Sequence, residues 1–358
     1  MTISSNHAMS QSRFAKRYKF VSEQKAGGAT YTPSNLADFV ARQIVAVADI
    51  QPRERLLRVL DPAVGDGALL ISLVNELAKH TAINVEVYGF DTNEQAVVEA
   101  RARIVSMHPK VAVRLEVGNF LEYVLTQPSL TRGASLFAPS KSETFDLIIA
   151  NPPYVRTQIM GAQQAQGLAA AFGLTGRVDL YHAFLVGMAL VLSRDGTAGI
   201  IVSNRFMTTR GGASIRRALR QHLALRHIWD LGDTKLFEAA VLPAVIIANG
   251  MNNSDQAAPA FTSIYETNVP SSFHATDPIG ALAHTGVVAL PDGRSFNVQH
   301  GVLASSAPEQ PWSMANATKD AWHRTVMAHS WGTFRDIGKV RVGVKTCADP
   351  IFIRDDWH

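Results

Sequence analysis

Leu60-Asp61-Pro62-Ala63-Val64-Gly65-Asp66-Gly67-Ala68 joins a short apolar run, Leu56–Leu60, to a stretch with helical spacing, Ala68–Lys79. Gly65 and Gly67 let the backbone turn sharply and let a ligand come close. In open α/β sheets, ligands bind at the carboxyl ends of strands, which is where this turn falls. No Lys-Ser/Thr follows the glycines, so a nucleotide P-loop is excluded, and the three-glycine dinucleotide fingerprint is incomplete. On these residues alone an ordinary glycine turn remains open.

The same alternation continues outward on both sides. Asn35–Ala48 places Leu36, Phe39, Val40, Ile44 and Val47 at helical spacing. Downstream, Val85–Phe90 reads as a strand, Glu94–Met107 as a helix, and Val111–Val117 and Phe145–Ala150 as strands. Leu180–Leu192 reads as a helix, Gly199–Ser203 as a strand, Gly212–Leu223 as a helix, and Ile228–Leu231 and Val241–Ala248 as strands. Strands alternating with helices predict an α/β, doubly wound, mostly parallel sheet over 30–250. Residues 1–29 are a basic polar arm. Residues 251–331 are expected to be an irregular connecting region, with apolar runs at Phe261–Tyr265 and Gly286–Leu290 and helical periodicity at Lys319–His329. Residues 332–358 turn β-rich again.

An acid ahead of the glycines, Asp61, repels phosphate and suits a ligand with an ammonium group. S-adenosylmethionine is such a ligand, carrying an amine and a cationic sulfur. Asp91 ends the next strand and can accept from both hydroxyls of a ribose. Gly118-Asn119-Phe120 follows the third strand, with an amide to read an adenine amine and a phenyl ring to flank it. After the fourth strand comes Asn151-Pro152-Pro153-Tyr154. The prolines stiffen the turn and leave its carbonyls free to accept hydrogen bonds. An amide, free carbonyls and an aromatic face together can hold a planar ring with an exocyclic amine.

The chain has 358 residues, 47% hydrophobic and 18% charged, enough for one large or two ordinary domains. A net charge of +4 and a pI near 9.2 fit a nucleic-acid partner without requiring one. One cysteine, Cys347, excludes a disulfide framework and a cysteine-rich zinc site. The twelve histidines lack metal-hydrolase spacing, so no metal is expected. The polar N-terminus and the shortness of the longest apolar run, Ala183 to Leu192, lead us to expect no membrane span and a cytoplasmic protein. Six arginines (205, 210, 216, 217, 220 and 226) with no acid among them read either as a phosphate-binding patch or as a solvated amphipathic helix.

These motifs resemble those of the N6-adenine DNA methyltransferases, and within them the Eco57I- and TaqI-like methylases of restriction–modification systems. The resemblance covers residues 29–250 and a fragment at 330–354. It implies a Rossmann-like class I S-adenosylmethionine-dependent methyltransferase fold. Tyr31-Thr32-Pro33 looks like the N-terminal cofactor motif around the methionine moiety. Asp61 to Gly67, with Ala63 and Gly65, matches the main cofactor motif, and Asp91 the ribose acid. Asn119-Phe120 matches the adenine pocket, where the family usually has aspartate in place of Asn119. Asn151 to Tyr154 match the catalytic motif in full, with Asn151 also lying against the cofactor. Asp179-Leu180-Tyr181 with Phe184, Gly199 to Met207, and Phe237-Glu238 through Ile247 resemble later motifs, the last near the target base. Val342-Gly343-Val344-Lys345-Thr346 looks like the start of a target recognition domain that is truncated here.

The implied activity is methyl transfer to N6 of an adenine flipped out of double-stranded DNA, with catalytic residues Asn151, Pro152, Pro153 and Tyr154. A separate specificity or endonuclease polypeptide is an implied partner. The rivals are a catalytically weak DNA-binding subunit, and a methyltransferase acting on RNA or on protein glutamine, since these also present a planar nitrogen.

Overall fold

The computed structural model describes residues 32–50, 56–80, 84–127, 144–155, 161–176, 178–237, 242–251, 258–304, 310–315, 317–332 and 334–338. Expectations for the 1–29 arm, for Tyr31 and Glu238, and for Val342 to Cys347 lie outside the described residues.

Seven strands make the frame: β1 (Leu57–Asp61), β2 (Val85–Asp91), β3 (Ala112–Val117), β4 (Phe145–Ala150), β5 (Leu192–Ser203), β6 (Leu223–Asp230) and β7 (Pro243–Gly250). They run in the order β3-β2-β1-β4-β5-β7-β6. β1 to β5 are parallel, and β7 is antiparallel to both of its neighbours, β5 and β6. A sheet covered on both faces needs strands apolar on both faces. β4, Phe-Asp-Leu-Ile-Ile-Ala, is buried at every position.

Among the described residues, the helices around it are α1 (Ser34–Val47), α2 (Ala68–Leu77), α3 (Glu94–Met107), α4 (Phe120–Thr126), α5 (Ala162–Ala171), α6 (Leu180–Val191), α7 (Arg205–Thr208) and α8 (Ala213–His222). Successive strand side chains point to opposite faces. Val59, Leu147 and Ile201 therefore join a core with Leu36, Phe39 and Ile44 of α1, Leu70 and Leu73 of α2, and Ile104 of α3. Their neighbours Leu60, Ile148 and Ile200 join the opposite core with Phe120 and Val124 of α4, Phe184 and Met188 of α6, and Leu219 of α8. α1 lies so close to β5 that a Cβ on Gly199 would stand 2.6 Å from Ile44 Cγ1.

The expectation of irregular chain over 251–331 needs correction. β8 (Ala260–Thr267) pairs with β6 in parallel, and β10 (Ser295–Ala304) pairs antiparallel with β8. β9 (Gly286–Ala289) and β11 (Ser313–Met314) flank β10. The frame thus continues into a single sheet of eleven strands among the described residues. β10 looks irregular in sequence because much of its length is buried on one face only. Phe296 and Val298 point into the core, while Gln299, on the opposite face, is exposed.

Residues 315–358 are a second compact unit, in which Ala317–His329 and Phe334–Ile337 are helical. The β-rich expectation for the last stretch falls mostly outside the described residues. No helix among the described residues is long and apolar enough to cross a membrane.

Candidate active site

The predicted residues converge on the carboxyl ends of β1, β2 and β4. β1 lies between the other two, so the glycine turn after Asp61 stands beside both Asp91 and Asn151. Gly65 and Gly67 have φ of 50° and 81°, a left-handed backbone that favours glycine. Val64 N donates to Phe90 O at 2.8 Å, and Gly65 N donates to Asp91 Oδ2 at 3.0 Å. The turn is therefore stitched to the end of β2. A Cβ on Gly65 would meet nothing within 4 Å, so the space above it is open.

Asp61 is 1% exposed. Its Oδ1 accepts from Ala63 N at 3.0 Å, whereas its Oδ2 is buried without a hydrogen-bond partner among the described residues. Burial pushes its carboxyl up from 3.8 to about 7, Ala63 N–H opposes this, and the charges of Asp91 and Asp66 add to it. A buried acceptor left unpaired is costly, so this atom is suited to a donor or cation brought by a ligand. Asp91 accepts Gly65 N on one oxygen and Asn93 N, at 2.9 Å, on the other. Each oxygen keeps acceptor capacity for a hydroxyl. An orphaned acid, a second acid one strand away and open space over a glycine fit an amino-acid nucleoside such as S-adenosylmethionine. Among the described residues no group of three His, Cys, Asp or Glu could hold a metal ion.

Asn119 is the N-cap of α4, and its Oδ1 accepts from Leu121 N at 3.0 Å. Its Nδ2 faces Glu122 Oε1 at 3.5 Å. The carbonyl expected to accept an adenine amine is thus already engaged in capping, with one lone pair left. Phe120 is 1% exposed and is enclosed by Phe90 at 5.9 Å and Phe184 at 5.7 Å. It is packed into the core among aromatics and is not exposed beside Asn119. Four apolar residues in the seven of Phe120–Thr126 explain why, since a helix starting there turns its first residue inward.

Asn151 is held from both ends of its amide. Nδ2 donates to Thr32 Oγ1 at 3.0 Å, and Oδ1 accepts from Tyr154 OH at 2.8 Å. The Tyr154 hydroxyl also has Ile201 O, on β5, at 3.3 Å. Pro152 is buried, Tyr154 is half-buried, and the Tyr181 ring meets that of Tyr154 at 6.0 Å and 60°. Burial pushes both phenols up, so both stay neutral. Leu180 N donates to Val155 O at 3.0 Å, which ties α6 to the catalytic turn. Thr32 was expected at the cofactor; its link to Asn151, 119 residues away, has no signature in local sequence. Phe237 is 6% exposed, packed in the core.

A family model described as N-6 DNA Methylase matches residues 14–269. The Type II methyltransferase M.BanIII of Aneurinibacillus aneurinilyticus is 40% identical over 352 residues, covering 94% of this chain and 59% of its own. M.XhoI of Xanthomonas vasicola, another Type II methyltransferase, is 24% identical over 92% of this chain and 60% of its own. A solved DrdV–DNA complex superposes with a TM-score of 0.57 at 14% identity, over 86% of this chain and 33% of that one. The chain spans about three fifths of the length of the curated relatives it matches.

Proposed function

Because this chain belongs to the N-6 DNA methylase family, we propose that it methylates N6 of an adenine flipped out of double-stranded DNA, as the modification activity of a restriction–modification system. The observation that carries this is the Asn151 amide, whose orientation is set by Thr32 and Tyr154 beside the Asp61–Asp91 limb. Further support comes from the names of the relatives, which are Type II methyltransferases. A separate specificity or nuclease polypeptide completes such a system, and the cytoplasm is where it meets DNA.

When bound, S-adenosylmethionine supplies an electrophilic methyl group on a cationic sulfur. Asp61 Oδ2 takes the ammonium group and Asp91 the ribose hydroxyls. Adenine N6 is a poor nucleophile because its lone pair is delocalised into the ring. Asn151 Oδ1 and the Pro152 carbonyl accept its two hydrogens, which favours a pyramidal nitrogen with an available lone pair. The Tyr154 ring offers a face for the flipped base, and base–aromatic stacking of about 1–3 kcal/mol offsets part of the unstacking cost. Positioning and electrostatics do the rest.

The deciding experiment uses labelled donor with duplex DNA, RNA and protein glutamine as acceptors, and long-read sequencing of DNA from cells expressing the chain. N6-methyladenine in one sequence context is expected. Label on RNA or protein alone, or no modified adenine above background, overturns the assignment.

The two amide contacts make a finer prediction. Thr32→Val frees the Asn151 amide to flip and lowers kcat by roughly tenfold, the worth of one hydrogen bond. Thr32→Ser restores it. Tyr154→Phe keeps the ring and costs several-fold less than Tyr154→Ala. Equal losses from Phe and Ala would mean that the hydroxyl alone matters and stacking does not.

A further inference from the structure

The six arginines between Arg205 and Arg226 divide into two structural classes. Arg216 is 2% exposed, and its Nη1 donates to the carbonyls of Phe206 and of Thr209, the latter at 2.9 Å. Arg220 lies 5.9 Å over the Trp312 ring, and Arg226 Nε donates to Asn249 Oδ1. These three are tied into the fold. Arg205, Arg210 and Arg217 are exposed. The side chains of Arg205 and Arg210 make no hydrogen bond or ion pair among the described residues. Both sit on one short turn, 204–212, that leaves the carboxyl end of β5.

That turn is unusually well held for a surface segment. Asn204 begins it, donating its backbone N–H to Leu242 O and its Nδ2 to Asp230 Oδ1, both at 2.8 Å. Trp312 N donates to Met207 O at 2.8 Å, and the Trp312 ring stands edge-on to Phe206 at 5.4 Å. Gly212 closes it, since a Cβ there would stand 2.0 Å from Phe206 O. A buried guanidinium spent on backbone carbonyls is a costly way to shape a loop with no task. The turn also borders the site. β5 lies next to β4, Tyr154 reaches Ile201 O on it, and the charge of Arg205 is felt by the Tyr181 phenol.

We infer that the 204–212 turn is a DNA-backbone clamp: Arg205 and Arg210 hold phosphates beside the target nucleotide, and the buried Arg216 is the positioning residue that keeps them in place. The clamp rests on the DNA reading above. Phosphate contacts fix register without reading sequence, which is what a flipped nucleotide needs at its flanks.

The test is the salt dependence of binding to a mixed-sequence duplex, with donor binding measured by calorimetry in parallel. Arg205→Ala and Arg210→Ala are each expected to lower the slope of log K against log salt by about 0.9. Lys79→Ala, which removes a charge paired with Glu76 on α2, leaves the slope unchanged. Arg216→Met lowers the slope while donor affinity stays at the wild-type value, which general unfolding would not allow. Wild-type slopes in Arg205→Ala and Arg210→Ala overturn the clamp, and a wild-type slope in Arg216→Met overturns the positioning role. Failure of the unsubstituted protein to bind the duplex at all would sink the DNA assignment instead.

Discussion

Asn151→Ala loses methyl transfer by at least 10²-fold in kcat, the usual order for removing one preorganised polar group from a transition state. The fold survives because the neighbours have somewhere to go. The Tyr154 hydroxyl, deprived of Asn151 Oδ1, turns fully to Ile201 O, already 3.3 Å away. Thr32 is half-buried and can take a water. Donor affinity, which the proposed function places on Asp61, Asp91 and the glycine turn, is expected to change little. Asn151→Asp keeps an acceptor for the amine and loses only the donor to Thr32, so it retains more activity than Ala. Steady-state transfer of labelled methyl to DNA, with calorimetry of donor binding, measures both effects. A kcat within tenfold of wild type in Asn151→Ala would falsify the role given to the amide.

Asp61→Asn is expected to uncouple stability from binding. The folded-state pKa of Asp61 is raised from 3.8 to about 7, so its contribution to stability is fully present below the lower value. It is lost as pH rises through the upper one. At pH 8 the folded protein therefore carries an ionised, buried and half-unpaired carboxylate. An asparagine keeps the acceptor for Ala63 N and removes the charge, at the expense of a buried NH2 with two donors. The net gain at pH 8 is roughly 2 kcal/mol, seen as a higher Tm that converges with wild type near pH 4. Donor binding moves the other way. A cationic ligand needs Asp61 ionised, so wild-type affinity falls as pH drops through 7, whereas Asp61→Asn binds weakly with no such dependence. Equal affinities and parallel pH profiles would remove Asp61 from the donor site.

Much of this could be read from the chain because the central strands are buried on both faces. Phe145–Ala150 is an unbroken apolar run apart from Asp146, and its bounds come out as expected. Glu94–Met107 also matches, helped by the Asn93 side chain that accepts from the N–H groups of Gln95 and Ala96. One-sided elements were harder. β10 has polar residues on its exposed face and a glycine, which read as loop. β6 begins at Leu223, five residues before the apolar run that signalled it, because Arg226 and His227 interrupt the pattern. Candidate site residues showed in sequence where one motif carried them, as with Asp61, Asp91 and Asn151. The Thr32 contact to Asn151 and the Arg216 contacts to Phe206 and Thr209 were hidden, because a side chain reaching a distant partner or a backbone carbonyl leaves no periodicity behind.

The parallel pairing of β8 with β6 has a consequence for anyone dividing the gene. The motifs read from sequence thin out near Gly250, but the outer edge of β6 at His227–Asp230 is paired by residues 260–263. A catalytic fragment cut at that boundary would present an open ladder flanked by apolar side chains, the usual template for intermolecular strand addition. Solubility, rather than chemistry, is expected to set where this chain can be shortened.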